Sequence, residues 1–167
     1  LDLENNVCPV MGGKSNPALK VELDGVIYRV CCGGCIGMLK KEPDRYLKGF
    51  AYEKGGVKIA TKEYVRNLIS DAKNSAIIID VLSPEEFAGQ HIKGAINLPL
   101  VGISELIAGI VPDKSTRIIV YCAGYMCTAS TGAAKKLAEL GYKNVLDYKG
   151  GIGEWSTYYP ELVIKAK

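Results

Sequence analysis

Two short runs, "SAIIIDV" at residues 75–81 and "TRIIVYC" at residues 116–122, restrict the fold more than anything else in the chain. Each is continuously apolar and β-branched, without the alternation of a half-exposed strand. Each therefore reads as a strand buried on both faces of a parallel sheet. Helical patterns surround them. "KIATKEYVRNLISDA" places Thr61 at an N-cap with Tyr64, Val65, Leu68 and Ile69 on one face, and "SPEEFAGQ" opens with a Ser83 cap and Pro84 at the first helical position. "ISELIAGI" and "STGAAKKLAELGY" give two more helices, the latter closed by Gly141. Alternating strands and helices predict a parallel α/β sheet flanked by helices, in which ligands sit at the carboxyl ends of the strands. Cys122 stands at such an end.

Composition removes several classes of function. With 167 residues, 48% of them hydrophobic, the chain can bury one good core, or a medium core and a small satellite. The 21 basic and 18 acidic residues are scattered, so the formal charge of +3 offers no footprint for nucleic acid. No apolar run approaches the roughly 20 residues that cross a bilayer, which predicts no membrane span. The chain starts at Leu1, so a segment removed upstream is one expectation, and cytoplasm and periplasm both stay open as compartments.

The six cysteines fall into a group of four, Cys8, Cys31, Cys32 and Cys35, and a group of two, Cys122 and Cys127. A three-disulfide scaffold would suit a small, core-poor chain, whereas residues 76–150 carry a self-sufficient apolar pattern. Two modules are the better expectation. The charged stretch "KKEPDRYLKGFAYEKGG" ends in Gly55-Gly56 and reads as a linker, dividing a small cysteine-rich α+β module, residues 1–54, from a larger one, residues 55–167.

The larger module resembles the rhodanese family over about two thirds of the chain. The resemblance rests on Asp80-Val81, Glu86-Phe87, "HIKGA" with Asn97 and Pro99, the Tyr-Cys at a strand end, and Gly150-Gly151 with Trp155. It implies a rhodanese-like fold and sulfurtransferase chemistry: Cys122 accepts sulfane sulfur from a small-molecule or protein-bound donor, holds it as a persulfide and passes it to a thiol acceptor. No cofactor is implied for this module. A cysteine between a strand end and a helix start is expected to be surrounded by backbone N–H groups and a helix dipole that lower its pKa. The amides of Ala123, Gly124, Tyr125, Met126, Cys127 and Thr128 are the candidate contacts for the anionic sulfur.

Where many rhodaneses carry an Arg five residues after the cysteine, this chain has Cys127, followed by Thr128. In a longer-loop alignment Ala129-Ser130 fill the Arg-Ser positions instead, and the arginine is still absent. No Arg or Lys occurs from 122 to 134. An Arg fork is the natural clamp for a tetrahedral anion, so its loss makes thiosulfate a doubtful donor and disfavours oxyanion chemistry. Cys127 offers a second catalytic sulfur, able to resolve a persulfide or sulfenic acid on Cys122 as a disulfide; a small inward-facing residue is the plainer reading. His91, the single histidine, is expected to brace a turn through backbone hydrogen bonds rather than to serve as a base.

"NNVCPVMGGK" and "DGVIYRVCCGGCIGMLKK" resemble the YHS or TRASH-like cysteine domains associated with heavy-metal handling, over residues 7–47. If a helix begins at "CCGGC", Cys31 and Cys35 lie one turn apart, and a "CPVMGG" turn folds Cys8 over them. Three converging thiolates favour Zn(II), Cu(I) or a similar soft ion. Cys32 is either a fourth ligand or a free thiol. Met11 and Met38 are thioether candidates whose more ordinary role is packing, and pairing of the four cysteines as disulfides is the competing reading. Two further functions stand beside the sulfurtransferase: a metal-binding or metal-sensing protein on a rhodanese scaffold, and a Cys122/Cys127 dithiol oxidoreductase.

Overall fold

The structure is a computed structural model that describes residues 1–71, 73 and 76–166. Ala72, which ends the first helical segment read above, and Ser75, which opens the first strand run, lie outside the described residues. The chain begins with a hairpin, β1 (Lys20–Leu23) and β2 (Val26–Arg29), followed by helices α1 (Gly33–Lys41) and α2 (Pro43–Leu47). A second hairpin, β3 (Ala51–Lys54) and β4 (Val57–Ala60), leads into α3 (Lys62–Ser70) and β5 (Ile77–Asp80). Then come α4 (Pro84–Gly89), β6 (Gln90–Ile92), β7 (Ile96–Asn97), α5 (Ile103–Ile110), β8 (Arg117–Tyr121), α6 (Ala129–Glu139), β9 (Asn144–Tyr148), α7 (Gly151–Tyr158) and β10 (Val163–Lys165).

Six strands form the central sheet in the order β3-β4-β9-β8-β5-β7, antiparallel at β3/β4 and parallel elsewhere. The two runs that predicted a parallel sheet are β5 and β8, which pair from Ile77↔Ile118 to Asp80↔Tyr121. Ile118, Ile119 and Val120 are fully buried, because α5 and α6 cover one face while α3 and α7 cover the other. Burying a side chain of this size stabilises by about 1.5–3 kcal/mol, so β8 anchors both cores. The predicted helix starts are real. Thr61 Oγ1 accepts from Tyr64 N–H at 3.1 Å, Ser83 and Glu86 form a capping box, and Gly141 closes α6 at a φ of +95°.

The Gly55-Gly56 pair corrects the linker reading. Both glycines have positive φ, +62° and +78°, and they form the two-residue turn between β3 and β4, with Lys54 paired to Val57. A turn of this type needs left-handed backbone at both positions, which glycine supplies without strain. The flanking "AYEK" and "VKIA" are its two strands, so the glycines join the amino-terminal segment to the sheet edge. A third core gathers Leu3, Cys8, Val21, Tyr28, Cys35, Leu39, Leu47, Phe50 and Tyr52 around Ile59 of β4.

Asp80 and Asp147 are fully buried, and Glu154 is partly so. Burial pushes Asp80, Asp147 and Glu154 above the ordinary carboxylate range despite hydrogen bonds that pull them down. For Asp147, the hydroxyls of Ser130 and Thr131 and the charge of Lys149 oppose the burial.

Two outcomes are expected. Because Phe50 and Tyr52 pack on Ile59 and β3 pairs with β4, a fragment ending at residue 54 should melt without a cooperative transition, while the full chain unfolds in one; a cooperative melt of the fragment would refute the shared core. Asp147→Asn keeps an acceptor for Thr131 and removes a group whose folded pKa is raised. Such a group favours the fold below its unfolded pKa, about 3.9, and that contribution is lost as pH rises through the folded value. The variant should therefore melt about 2–4 °C higher than wild type at pH 8, the response to about 1 kcal/mol in a chain of this size, and the gap should close toward pH 4.

Candidate functional site

The loop from Cys122 to Thr128 connects the end of β8 to α6 and rests on the start of α7. Ile152 N–H donates to the Cys122 carbonyl at 3.0 Å, and Gly153 N–H donates to the Ala123 carbonyl at 2.9 Å. Side chains are excluded at this contact. A Cβ on Gly151 would overlap the Cys122 carbonyl oxygen and stand 2.8 Å from Gly124 N, at a residue whose φ of +60° already favours glycine. A Cβ on Gly153 would lie 2.9 Å from the Ala123 oxygen.

Cys122 is 1% exposed and joins the apolar cluster of Val120, Ala133 and Leu137. Its Sγ donates to Ser130 Oγ at 3.4 Å. Burial raises the Cys122 thiol, as does adjacent Cys127, and the hydroxyl and amide of Ser130 only partly offset them. The expectation that loop amides would depress Cys122 is therefore corrected. Cys127, half-buried, is the thiol held below its ordinary value. Burial raises it, but the Cys122 thiol, the N–H groups of Ala123 and Ala129, and the charge of Lys149 together outweigh that. The amides within reach of sulfur converge on Cys127 because Cys122 is still at sheet depth. The pair is thus asymmetric, with Cys127 the more acidic thiol and Cys122 the less acidic one.

The other residues expected to contact substrate are placed differently from one another. Met126 is 91% exposed, Ala123 and Thr128 are exposed, and Gly124 accepts from Cys127 N–H at 3.0 Å. Tyr125 turns inward: its hydroxyl donates to Glu154 Oε2 at 2.7 Å, and its ring packs on the amino-terminal core. Tyr148 donates to the other oxygen of Glu154 at 2.8 Å. His91 behaves as expected, with Nδ1 donating to the Phe87 carbonyl at 2.8 Å and its ring stacked on Phe87.

A cation also reaches the loop. Lys149 Nζ donates to the Cys127 carbonyl at 3.1 Å and to Thr131 Oγ1 at 3.0 Å, and Thr131 donates to Asp147 Oδ2 at 2.8 Å. Reading residues 122–134 alone could not find Lys149, which arrives from just beyond β9. Asp147 did carry a signal, a carboxylate inside the buried strand "NVLDY"; its Oδ1 is buried without a hydrogen-bond partner among the described residues.

At the other cysteine cluster, the Sγ atoms of Cys8, Cys31 and Cys35 lie within 4.8 Å of one another. Cys8 sits in a turn closed by Cys8 N–H to the Gly13 carbonyl at 2.7 Å and Gly12 N–H to the Cys8 carbonyl at 2.9 Å. Burial raises the Cys8 thiol, but N–H groups of Met11, Cys31 and Val10 outweigh it and hold the thiol below its ordinary value. Helix α1 starts at Gly33, so Cys31 lies ahead of the helix rather than on its face, with Cys32 at the N-cap between them. Cys32 falls outside the three-thiol group. Cys31 and Cys35 sulfurs are 3.7 Å apart. Two thiolates on one tetrahedral zinc, each about 2.3 Å from the ion, stand about 3.8 Å apart, so this donor set fits a soft metal. Met11 and Met38 are both exposed.

Comparison with known proteins separates the two clusters. The rhodanese-like domain family matches residues 61–158, which hold Cys122 and Cys127 but none of the amino-terminal cysteines. Thiosulfate sulfurtransferase PspE of Escherichia coli K12 is 45% identical over 76 residues, 44% of this chain and 68% of PspE. Adenylyltransferase and sulfurtransferase UBA4 of Candida albicans is 35% identical over 156 residues, 89% of this chain, which spans only 32% of that larger protein. Among solved structures, the BH2092 protein of Bacillus halodurans is similar with 30% identity and a TM-score of 0.55, covering 71% of this chain and 80% of its own. A thiosulfate sulfurtransferase from Pseudomonas aeruginosa has 27% identity and a TM-score of 0.55, covering 65% of this chain and 20% of that one. With a match over residues 61–158, well over half of its length, the chain belongs to the rhodanese-like family.

Proposed function

We propose that this chain is a sulfurtransferase that carries sulfane sulfur as a persulfide on Cys122, with Cys127 as proton acceptor and resolving thiol. The carrying observation is the pairing at the end of β8, where a buried thiol at the family's sulfur position stands beside a second, less buried thiol that amides and Lys149 make the more acidic of the two. Cys122 S–H gives its proton to the Cys127 thiolate. The Cys122 thiolate then attacks the sulfane sulfur of a donor R–S–S⁻, forming Cys122–S–S⁻ as R–S⁻ leaves. An acceptor thiolate removes that outer sulfur. Alternatively, Cys127 attacks the inner sulfur, expels hydrosulfide and leaves a Cys122–Cys127 disulfide for external thiols to reduce. The relatives named as thiosulfate sulfurtransferases favour thiosulfate as donor. Against it, Lys149 is already engaged with Cys127 and Thr131 and supplies no fork, so a thiol-bound persulfide is the preferred donor.

The amino-terminal Cys8, Cys31 and Cys35 form a three-thiolate site for Zn(II) or Cu(I). A bound ion would supply a structural cross-link between the Cys8 turn and α1, and the thiolates themselves would hold it.

Mass analysis tests the carrier. Reduced wild type should gain one sulfur per chain from glutathione persulfide, and Cys122→Ser none. Cys127→Ser should still gain one sulfur but should no longer expel hydrosulfide to leave an internal disulfide, and turnover with thiosulfate should be about ten-fold slower than with the persulfide. Equal loading of Cys122→Ser and wild type would sink the assignment. For the metal site, the full reduced chain should take up about one zinc, releasing protons and binding more weakly as pH falls. Cys8→Ser, Cys31→Ser and Cys35→Ser should each lose most of the affinity and Cys32→Ser little; unchanged affinity in the first three would remove the site.

A further inference from the structure

Cys32 and Cys35 stand in a relation that neither sulfur transfer nor the three-thiol cluster uses. Their Sγ atoms are 3.0 Å apart, between a disulfide bond of about 2.05 Å and the separation of about 3.8 Å expected for two ligands of one zinc. The pair is asymmetric. Cys32 is exposed at the N-cap of α1, in extended backbone, and its side chain caps no amide. Cys35 is 1% exposed, one turn inside the helix.

The intervening residues are Gly33 and Gly34. Neither has positive φ, so the backbone does not demand glycine at either place. A Cβ on Gly33 would meet nothing within 4 Å, and one on Gly34 would first meet Cys32 Sγ at 4.0 Å. What the missing side chains achieve is access, since the approach to the Cys32 sulfur stays open. An exposed sulfur at a helix start, a buried sulfur beside it and no side chain between them suit thiol–disulfide exchange.

We propose that Cys32 and Cys35 form a second reactive site, a dithiol that exchanges with low-molecular-weight or peptide disulfides, and that closing their disulfide withdraws Cys35 from the three-thiolate metal site. Cys32 thiolate attacks one sulfur of R–S–S–R′, forming a mixed disulfide and releasing R′–S⁻. Cys35 gives its proton to solvent, and its thiolate attacks the Cys32 sulfur, releasing R–S⁻. The chain loses two electrons and two protons, and the disulfide becomes two thiols. The exchange chemistry stands on the Cys32–Cys35 geometry alone. The competition with metal rests on the three-thiolate reading, because Cys35 belongs to both groups.

The test uses the full chain, reduced and metal-free, exposed to glutathione disulfide and followed by intact mass with fragmentation mapping. Wild type should lose two hydrogens at a Cys32–Cys35 bond. Cys35→Ser should stall with one glutathione on residue 32, and Cys32→Ser should react in this region at least about ten-fold more slowly. A first adduct on Cys31 or Cys35, or a disulfide mapping to Cys31–Cys35 or Cys8–Cys31, would overturn the exchange site. One equivalent of zinc added beforehand should slow closure by about ten-fold or more, and the oxidised chain should bind no zinc. Closure at an unchanged rate with zinc still bound would overturn the competition. Failure of the reduced chain to bind zinc while the Cys32–Cys35 bond still forms would remove the metal reading and leave the exchange site standing.

Discussion

The active loop depends on two hydrogen bonds made by its own carbonyl groups. Ile152 and Gly153 at the start of α7 donate to the carbonyls of Cys122 and Ala123, so the first turn of a helix grips the chain as it leaves β8. The grip requires backbone to touch backbone, and Gly151 and Gly153 remove the atoms that would prevent it. With its carbonyls turned to α7, the loop is free to turn amides toward sulfur. Those amides reach Cys127 from Ala123 and Ala129, while Cys122 stays at sheet depth. The difference in acidity between the two thiols thus follows from where α7 holds the loop.

The amino-terminal module bears on the same loop from the other side. Tyr125 extends from it into the core that holds Cys8 and Cys35, and its hydroxyl reaches Glu154, which also accepts from Tyr148 of β9. One buried carboxyl therefore ties the loop, α7 and the sheet together. Burial raises that carboxyl and the phenol hydrogen bonds pull it back. The hairpin at Gly55-Gly56 makes the attachment continuous, because β3 extends the central sheet while Phe50 and Tyr52 pack the amino-terminal core. The amino-terminal cysteine cluster and the Cys122 loop therefore share one packed body.

Sequence pattern reached the parts of this arrangement that are local. The β-branched runs became β5 and β8, the Ser83 and Thr61 caps were legible from residues three apart, and Gly141 marked its helix end. Convergence of Cys8, Cys31 and Cys35 followed from spacing and a turn-rich segment, although the helix starts later than the spacing suggested. What failed was whatever depended on distant partners. Gly55-Gly56 looked like a linker because charge and glycine mark exposed chain, while the alternation of "AYEK" and "VKIA" around it was the neglected hairpin signal. The relative acidity of Cys122 and Cys127 could not be read from their own loop, since depth in the sheet, Ser130 and Lys149 decide it.

The absent arginine has a physical sequel. A guanidinium five residues after the cysteine would bring a permanent charge and a planar fork, and Cys127 brings instead a thiol whose acidity depends on Cys122, two backbone amides and Lys149. Lys149 compensates in sign but not in geometry, because two of its three donors are engaged with the Cys127 carbonyl and Thr131 and an ammonium presents no planar fork. A substrate anion therefore meets no rigid clamp at this loop. Under the proposed mechanism, sulfur transfer would turn on proton exchange between the two thiols and would favour donors whose leaving group is itself a thiolate, which need no clamp for a tetrahedral anion.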